Sequence, residues 1–201
     1  MDERRGTPRL VLASASPRRA QLLARLGLDP EIRPADIDER AGPDEEPRLL
    51  VRRLAAAKAA HVAGPDEHEV ILAADTVVVR EERILGKPRD RAEAAAMLRA
   101  LSGASHEVVT GVAVRRGPRA RERTVVTSVT FRELTEAEIA WYLATGEPDD
   151  KAGAYGLQGA GAVLVSRIEG SDTNVIGLPL AETVELLRAV DLDPLATRQD
   201  R

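Results

Sequence analysis

Leu10-Val-Leu-Ala-Ser-Ala-Ser-Pro-Arg-Arg19 reads as a strand, a loop of small residues and a helix start within ten positions. Leu10, Val11, Leu12 and Ala13 form a short apolar run, Ser16 suits an N-cap, and Pro17 fits the first helical position, where a missing N–H costs nothing. The helix predicted from Pro17 carries Leu22, Leu23 and Leu26 at helical spacing and meets Gly27, where a left-handed cap is expected. Arg18 and Arg19 fall in its first turn, where the macrodipole is already positive and a cation is disfavoured by about 0.3 to 1 kcal/mol. Two readings fit. Either an anion such as phosphate is gathered there by backbone N–H groups, serine hydroxyls and both guanidinium groups, or the arginines reach into solvent. On the first reading, removing Arg19 leaves the ligand-free protein as stable as before, or slightly more so.

At 201 residues and 21.7 kDa, with 43% hydrophobic content, the chain can bury a sizeable core, and one compact unit without repeats or linkers is expected. A net charge of -4 with both signs interspersed, and only 2% aromatic residues, argue against a nucleic-acid polymer as partner. There is no cysteine, hence no disulfide framework and no thiolate metal site. The start Met-Asp-Glu-Arg-Arg-Gly-Thr-Pro lacks the apolar core of a signal peptide, and no apolar run approaches the ~20 residues that cross a bilayer. A cytoplasmic location without membrane attachment is expected.

Along the chain, residues 31–39 read as an extended segment delivering Asp36, Asp38 and Glu39. A helix is predicted over about 47–62, with Val51, Leu54, Ala55 and Val62 in one stripe. Lys58 falls in that stripe, as a snorkelling side chain or as a ligand contact. Glu69-Val-Ile-Leu-Ala-Ala-Asp-Thr-Val-Val-Val79 is the strongest strand signal and predicts burial on both faces. Asp75 interrupts it, and an ionised carboxylate there costs several kcal/mol unless paired or metal-bound, which favours a functional residue. A second strand is predicted over 84–88, where Pro88 holds Lys87 extended as a fixed cation. Asp90 with Glu93 and Thr135 with Glu138 open two further helices. Residues 106–114 and 124–131 read as an antiparallel pair joined by a solvated basic turn over 115–123, so the sheet is mixed. Seven of the fifteen glycines lie from Gly146 to Gly177, which favours a binding loop, followed by a strand over 162–168 and a last helix after Pro179.

Several chemistries are excluded. No phosphate-cradling G-x-x-x-x-G-K-[ST] run and no G-x-G-x-x-G run after a strand is present. His61, His68 and His106 do not form a zinc pattern, so any metal would sit on oxygen ligands, as magnesium or manganese does. Ser105 and His106 are strand neighbours facing opposite ways, which does not make a serine hydrolase.

Ser14-Ala-Ser-Pro-Arg-Arg19, Ala74-Asp-Thr76, Gly86-Lys-Pro88, Leu101-Ser-Gly103 with His106, Asp150-Lys-Ala-Gly-Ala-Tyr-Gly-Leu-Gln-Gly159 and Asn174-Val-Ile-Gly-Leu-Pro179 together closely resemble the Maf family of nucleotide pyrophosphatases. The resemblance runs over about 9–190, as a single domain with flexible tails on either side. It implies an α/β fold: an elongated mixed sheet surrounded by helices with a cleft between two lobes, similar to inosine triphosphate pyrophosphatases. It also implies that dimers are common. By the same resemblance Asp75 is the catalytic base and, with Glu39, a ligand of a divalent metal (Mg2+ or Mn2+). Ser14, Ser16, Arg19, Lys58, Lys87 and Lys151 are phosphate contacts, the last from a Gly-rich loop that closes over substrate. Arg18, Thr76 and Gln158 form the set carried by the branch that acts on dTTP and UTP, with modified pyrimidine nucleotides as further candidates. The reaction implied is attack of water on the α-phosphorus, giving the nucleoside monophosphate and pyrophosphate. The alternative the resemblance carries is a nucleotide-sensing regulator of septum formation without physiological turnover.

Overall fold

The computed structural model describes residues 8–196, so the ends of the two tails expected to be flexible, at 1–7 and 197–201, lie outside the described residues. The fold is mixed α/β, with a seven-stranded sheet in the order β2-β1-β3-β5-β6-β7 and β4 paired to β3. The expected single compact unit is divided by its contacts into two. The first comprises the described parts of Met1–Asp75, Gly111–Thr124 and Gly177–Arg201, and the second Thr76–Thr110 and Val125–Ile176.

In the first unit, β1 (Arg9–Leu12) lies parallel to both β2 (Glu31–Ile32) and the start of β3 (Glu69–Arg80). Parallel neighbours need a crossover, and the helices α1 (Pro17–Arg25) and α2 (Pro47–Val62) supply them. α1 begins at Pro17 as its sequence dictates, although the Ser16 side chain makes no capping bond. It ends in a Schellman motif: Gly27, at φ 76°, donates to Ala24 O, and Leu28 donates to Leu23 O. Leu22 and Leu23 are fully buried, each contributing about 1.5 to 3 kcal/mol. α2 lays Ala55, Ala59 and Val62 against Val11, Ala13, Ile71 and Ala73 of the sheet. Gly111 is required here, since a Cβ would stand 2.3 Å from Val51 O. The final helix α6 (Leu180–Arg188) buries Leu186 and Leu187, and beyond it Asp193 Oδ1 accepts from Leu195 N, so the chain is still turned in at that point, where fraying was expected.

The basic segment 115–123 departs from expectation. It is mostly strand: β5 (Ser105–Arg116) and β6 (Arg119–Phe131) are joined by Gly117 and Pro118 alone. Arginine-rich composition imitates a loop, but each guanidinium finds an acid or a carbonyl. Arg119 pairs with Asp191, Arg123 with Glu185, and Arg116 donates to Val190 O.

In the second unit, β4 is Arg83–Leu85 and antiparallel to β3, so Lys87 lies past the strand that was expected to hold it. Helix α3 (Arg91–Leu101) is capped by Asp90, which accepts from Glu93 N. The reciprocal carboxylate of Glu93 goes to Arg89 instead, so only half of a capping box forms. Helix α4 (Glu136–Ala144) has the complete box between Thr135 and Glu138. The strand expected over 162–168 is β7 (Val165–Glu169), and a 3-10 turn over Ala160–Leu164 takes its first part. A short helix α5 (Asp172–Ile176) lies between this strand and the last helix. The glycine density has a packing cause at Gly153, which has φ 67°, donates to Gly86 O, and would place a Cβ 2.9 Å from the Val78 side chain.

The core of this unit closes around an aromatic triad of His106, Phe131 and Tyr155 in edge-on contact. His106 Nε2 is 2.8 Å from Tyr155 Oη, and its buried Nδ1 has no partner among the described residues. Burial, helped by the Arg80 cation, takes His106 from its ordinary 6.5 down to about 4. The folded state therefore binds fewer protons than the unfolded chain between those values, and stability falls as pH drops through that window, by about 3 kcal/mol in full. His106→Gln retains an amide for Tyr155 and cannot titrate. Urea midpoints at pH 7, 5.5 and 4.5 should fall less steeply for the variant than for the unaltered protein; parallel curves would remove His106 as the acid-sensitive group.

Candidate functional site

The first unit carries seven of the expected site residues: Ser14, Ser16, Arg18, Arg19, Glu39, Lys58 and Asp75. β3 carries Asp75 in its interior, 8% exposed, where the apolar strand would exclude an uncompensated charge. Compensation comes from α2. Lys58 sits one turn from the helix end on the buried stripe, and its Nζ donates to Asp75 Oδ1 at 2.7 Å and pairs with Glu39 Oε1 at 2.9 Å. Lys58 is itself 6% exposed, so its ammonium does not snorkel to solvent. The three neighbouring acids are now separable. Asp38 is engaged by Arg40, whose hydrogen bonds hold its carboxyl down at about 2, Asp36 is exposed, and Glu39 alone of the three pairs with Lys58.

At the helix start the structure departs from the reading in which both arginines reach into solvent. Arg19 does not reach into solvent: it is 9% exposed, Nε donates to Gly177 O at 2.9 Å and Nη1 to Ser14 Oγ at 2.9 Å. Burial pushes the Arg19 guanidinium pKa down, opposed by the nearby Asp75 and Glu39 charges and reinforced by Arg18. The expectation that ligand-free protein is indifferent to Arg19 is therefore corrected, because the side chain ties the loop at 14–16 to the start of the last segment of this unit. Ser14 Oγ also accepts from Ser16 N at 3.2 Å. Having accepted twice, it keeps its O–H to give, which is the polarity an anion requires. Arg18, in the first turn, is half-buried, as is Ser16.

The second unit holds the rest. Thr76 is half-buried, with Oγ1 2.9 Å from Thr110 Oγ1. Lys87 and Gln158 are exposed. Lys151, expected to meet phosphate, is tied into its own loop, with Nζ donating to Glu147 O and Asp150 Oδ1, both at 2.6 Å. Glu147 organises that loop, accepting from Ala160 N and Gly161 N and from Tyr142 Oη. Sequence reasoning missed Glu147, Thr110 and the Gly177 carbonyl. A glutamate in an acidic run, a threonine in a strand and a backbone oxygen carry no distinguishing spacing. Asn174 was visible within a quoted motif, but no role could be attached to it.

Among the described residues no three His, Asp or Glu side chains converge as a ready-made metal cage, and no helix is long and apolar enough to cross a membrane. The donor set at Lys58 still fits a divalent cation. Two carboxylates are gathered by one ammonium, which leaves a net negative charge, and magnesium-type ions are held by one or two carboxylates with water and phosphate oxygens completing the shell.

Comparison with known proteins gives a family profile described as "Maf-like protein" that matches residues 9–190. A protein of Anaeromyxobacter dehalogenans (strain 2CP-C) named dTTP/UTP pyrophosphatase is 57% identical over 185 residues, covering 90% of this chain and 93% of the relative. One of Moorella thermoacetica with the same name is 54% identical over 187 residues, covering 92% and 96%. Among solved structures, a HAM1 protein from Coxiella burnetii overlaps at a TM-score of 0.49 with 17% identity, over 94% of this chain and 96% of that one.

Proposed function

This chain belongs to the Maf family, and from that premise we propose that it is a nucleoside triphosphate pyrophosphatase acting on dTTP and UTP, releasing pyrophosphate and the nucleoside monophosphate. The observation that carries the reading is the buried Asp75, held by Lys58 together with Glu39. A strand-interior carboxylate needs a reason to be there, and activating water is one that this geometry serves. Asp75 accepts the proton of the attacking water as its oxygen closes on the α-phosphorus. The bond to the β-phosphate oxygen breaks, and negative charge accumulates on the departing pyrophosphate.

Arg19, Lys58 and the hydroxyl of Ser14 offset that charge from the first unit, with Ser16 and the N–H groups opening α1. Lys87 and Lys151 are further phosphate contacts of this reading. For Lys151 the role requires exchanging Glu147 O and Asp150 for substrate oxygen. Glu39 and Asp75 would hold a divalent metal, Mg2+ or Mn2+, which when bound supplies charge stabilisation to phosphoryl oxygens and lowers the cost of forming hydroxide. Arg18, Thr76 and Gln158 read the base. The relatives' shared name supports the pyrimidine assignment, and the neutral carbonyl and imide edge of uracil or thymine suits Arg and Gln donors. The continuous family match over both units supports treating 9–190 as one functional domain. A homodimer and a cytoplasmic location are part of the same proposal.

The test is pyrophosphate release across unmodified and modified nucleoside triphosphates with Mg2+ or Mn2+. dTTP and UTP should head the series, with CTP and 7-methylguanosine triphosphate behind. Faster release from 7-methylguanosine triphosphate than from UTP would overturn the pyrimidine assignment, and no release from any nucleotide would overturn the enzyme.

A further inference from the structure

We propose that Glu147, working with Tyr142, is a positioning residue for base recognition: the pair pins both ends of the turn that carries Gln158, so that the Gln158 amide meets the base from a fixed backbone. The inference rests on the reading of Gln158 as a base-reading residue and names what holds it in place.

Gln158 is exposed, in a turn over 157–158. An exposed side chain cannot hold its own backbone by packing, so such a turn has to be held from its ends. Downstream, Ala160 N donates to Glu147 Oε1 at 2.7 Å and Gly161 N to Glu147 Oε2 at 3.3 Å. Upstream, Gly156 N donates to Tyr142 Oη at 3.1 Å, and the Tyr142 hydroxyl donates in turn to Glu147 Oε2 at 3.3 Å. One carboxylate therefore receives the bonds that come from both sides of Gln158.

Only a carboxylate completes this set. Its two oxygens face three donors and it brings none of its own, whereas an amide would turn an N–H onto one of them. Tyr142 is fully buried, and burial, with the Glu147 charge beside it, pushes its phenol above the ordinary value, so it remains a donor. The backbone is shaped to the same two side chains. A Cβ at position 159 would overlap the Glu147 carboxylate, and one at position 161 would stand 2.7 Å from Tyr142 Oη, so Gly159 and Gly161 allow the close approach. Lys151 is held separately, its Nζ donating to the Glu147 main-chain oxygen at 2.6 Å, and a change of the Glu147 side chain leaves that bond available.

The experiment compares the unaltered protein, Glu147→Gln, Gln158→Ala and the double variant in kcat and KM for UTP, with thermal melts of each. A turn released at its ends has to be ordered again on binding, so Glu147→Gln should raise KM about 10-fold with kcat changed by less than about threefold. Gln158→Ala should raise KM by a similar factor. The double variant should be no worse than Gln158→Ala alone, because the positioning residue then has nothing left to position. Effects on KM that multiply in the double variant overturn the inference, as does a folded Glu147→Gln with unchanged KM beside a raised KM in Gln158→Ala. If Glu147→Gln does not fold, Tyr142→Phe takes its place in the same cycle with the same outcomes, since it removes only the hydroxyl that joins Gly156 N to Glu147. An unchanged KM in Gln158→Ala brings down the base-reading role of Gln158 and this inference with it. Failure of the unaltered protein to release pyrophosphate from UTP would instead bring down the proposed function itself.

Discussion

Asp75→Asn should lower pyrophosphate release from UTP by about 100-fold or more while the protein remains folded. The amide nearly matches the carboxylate in shape and can still accept from Lys58 Nζ, so the local hydrogen bond survives. What is lost is the capacity to take a proton and half of the negative charge facing a metal. Removing one partner of a buried pair outright costs about 3 to 5 kcal/mol, but Lys58 retains both an amide oxygen and Glu39, so the loss of stability should be smaller. Saturating UTP, a pyrophosphate assay and a thermal melt decide the matter. Near-normal turnover in a variant with an unchanged melt would remove Asp75 from the chemistry.

Arg19→Ala should both weaken triphosphate binding and melt well below the unaltered protein without any ligand. The dipole argument alone gives the opposite sign for stability, since a cation near a helix start is unfavourable by less than about 1 kcal/mol. Two buried hydrogen bonds outweigh it. Alanine leaves Gly177 O without its guanidinium donor, opens the volume of a large side chain, and withdraws a cation from Asp75 and Glu39. A loss of about 3 kcal/mol is expected, or roughly 6 to 12 °C for a chain of this size. Arg19→Lys should recover little, because a single ammonium cannot reproduce the divergent fork that meets Gly177 O and Ser14 Oγ. A melt equal to that of the unaltered protein would show that these bonds carry no stability.

Much of this was readable in advance, for reasons that differ by element. α1, α2 and β3 follow from signals that need no tertiary context: proline at N1, glycine at C′, an apolar stripe, and a long β-branched run. Asp75 stood out because a carboxylate contradicts its strand, and Lys58 because an ammonium contradicts its stripe. The misses share a different cause. Arg115 to Arg123 imitates a loop because its charges are answered by Asp191 and Glu185, far away in sequence. The start of β7 is displaced by the packing of Gly161, whose Cβ would stand 2.4 Å from Gly156 O, a contact invisible along the chain. Arg19 was given the wrong energetics, since its partner Gly177 O is 158 positions away and is a backbone atom.

The tie between Arg19 and Gly177 has a consequence for how the protein is made. Synthesis proceeds from the N-terminus, and the unit holding Asp75, Lys58 and Glu39 is assembled from three separated stretches, the last beginning at Gly177. The second unit is finished earlier, since its last residue is Ile176. Nascent chains should therefore acquire the segment that buries His106 and Asn174 while the helix of Arg18 and Arg19 still waits for its anchor, and long-separation contacts of this kind form late. A chain truncated at residue 176 would resist protease over 76–110 and 125–176 and be cut in its first 75 residues, with no competence to hold a triphosphate without the closing stretch.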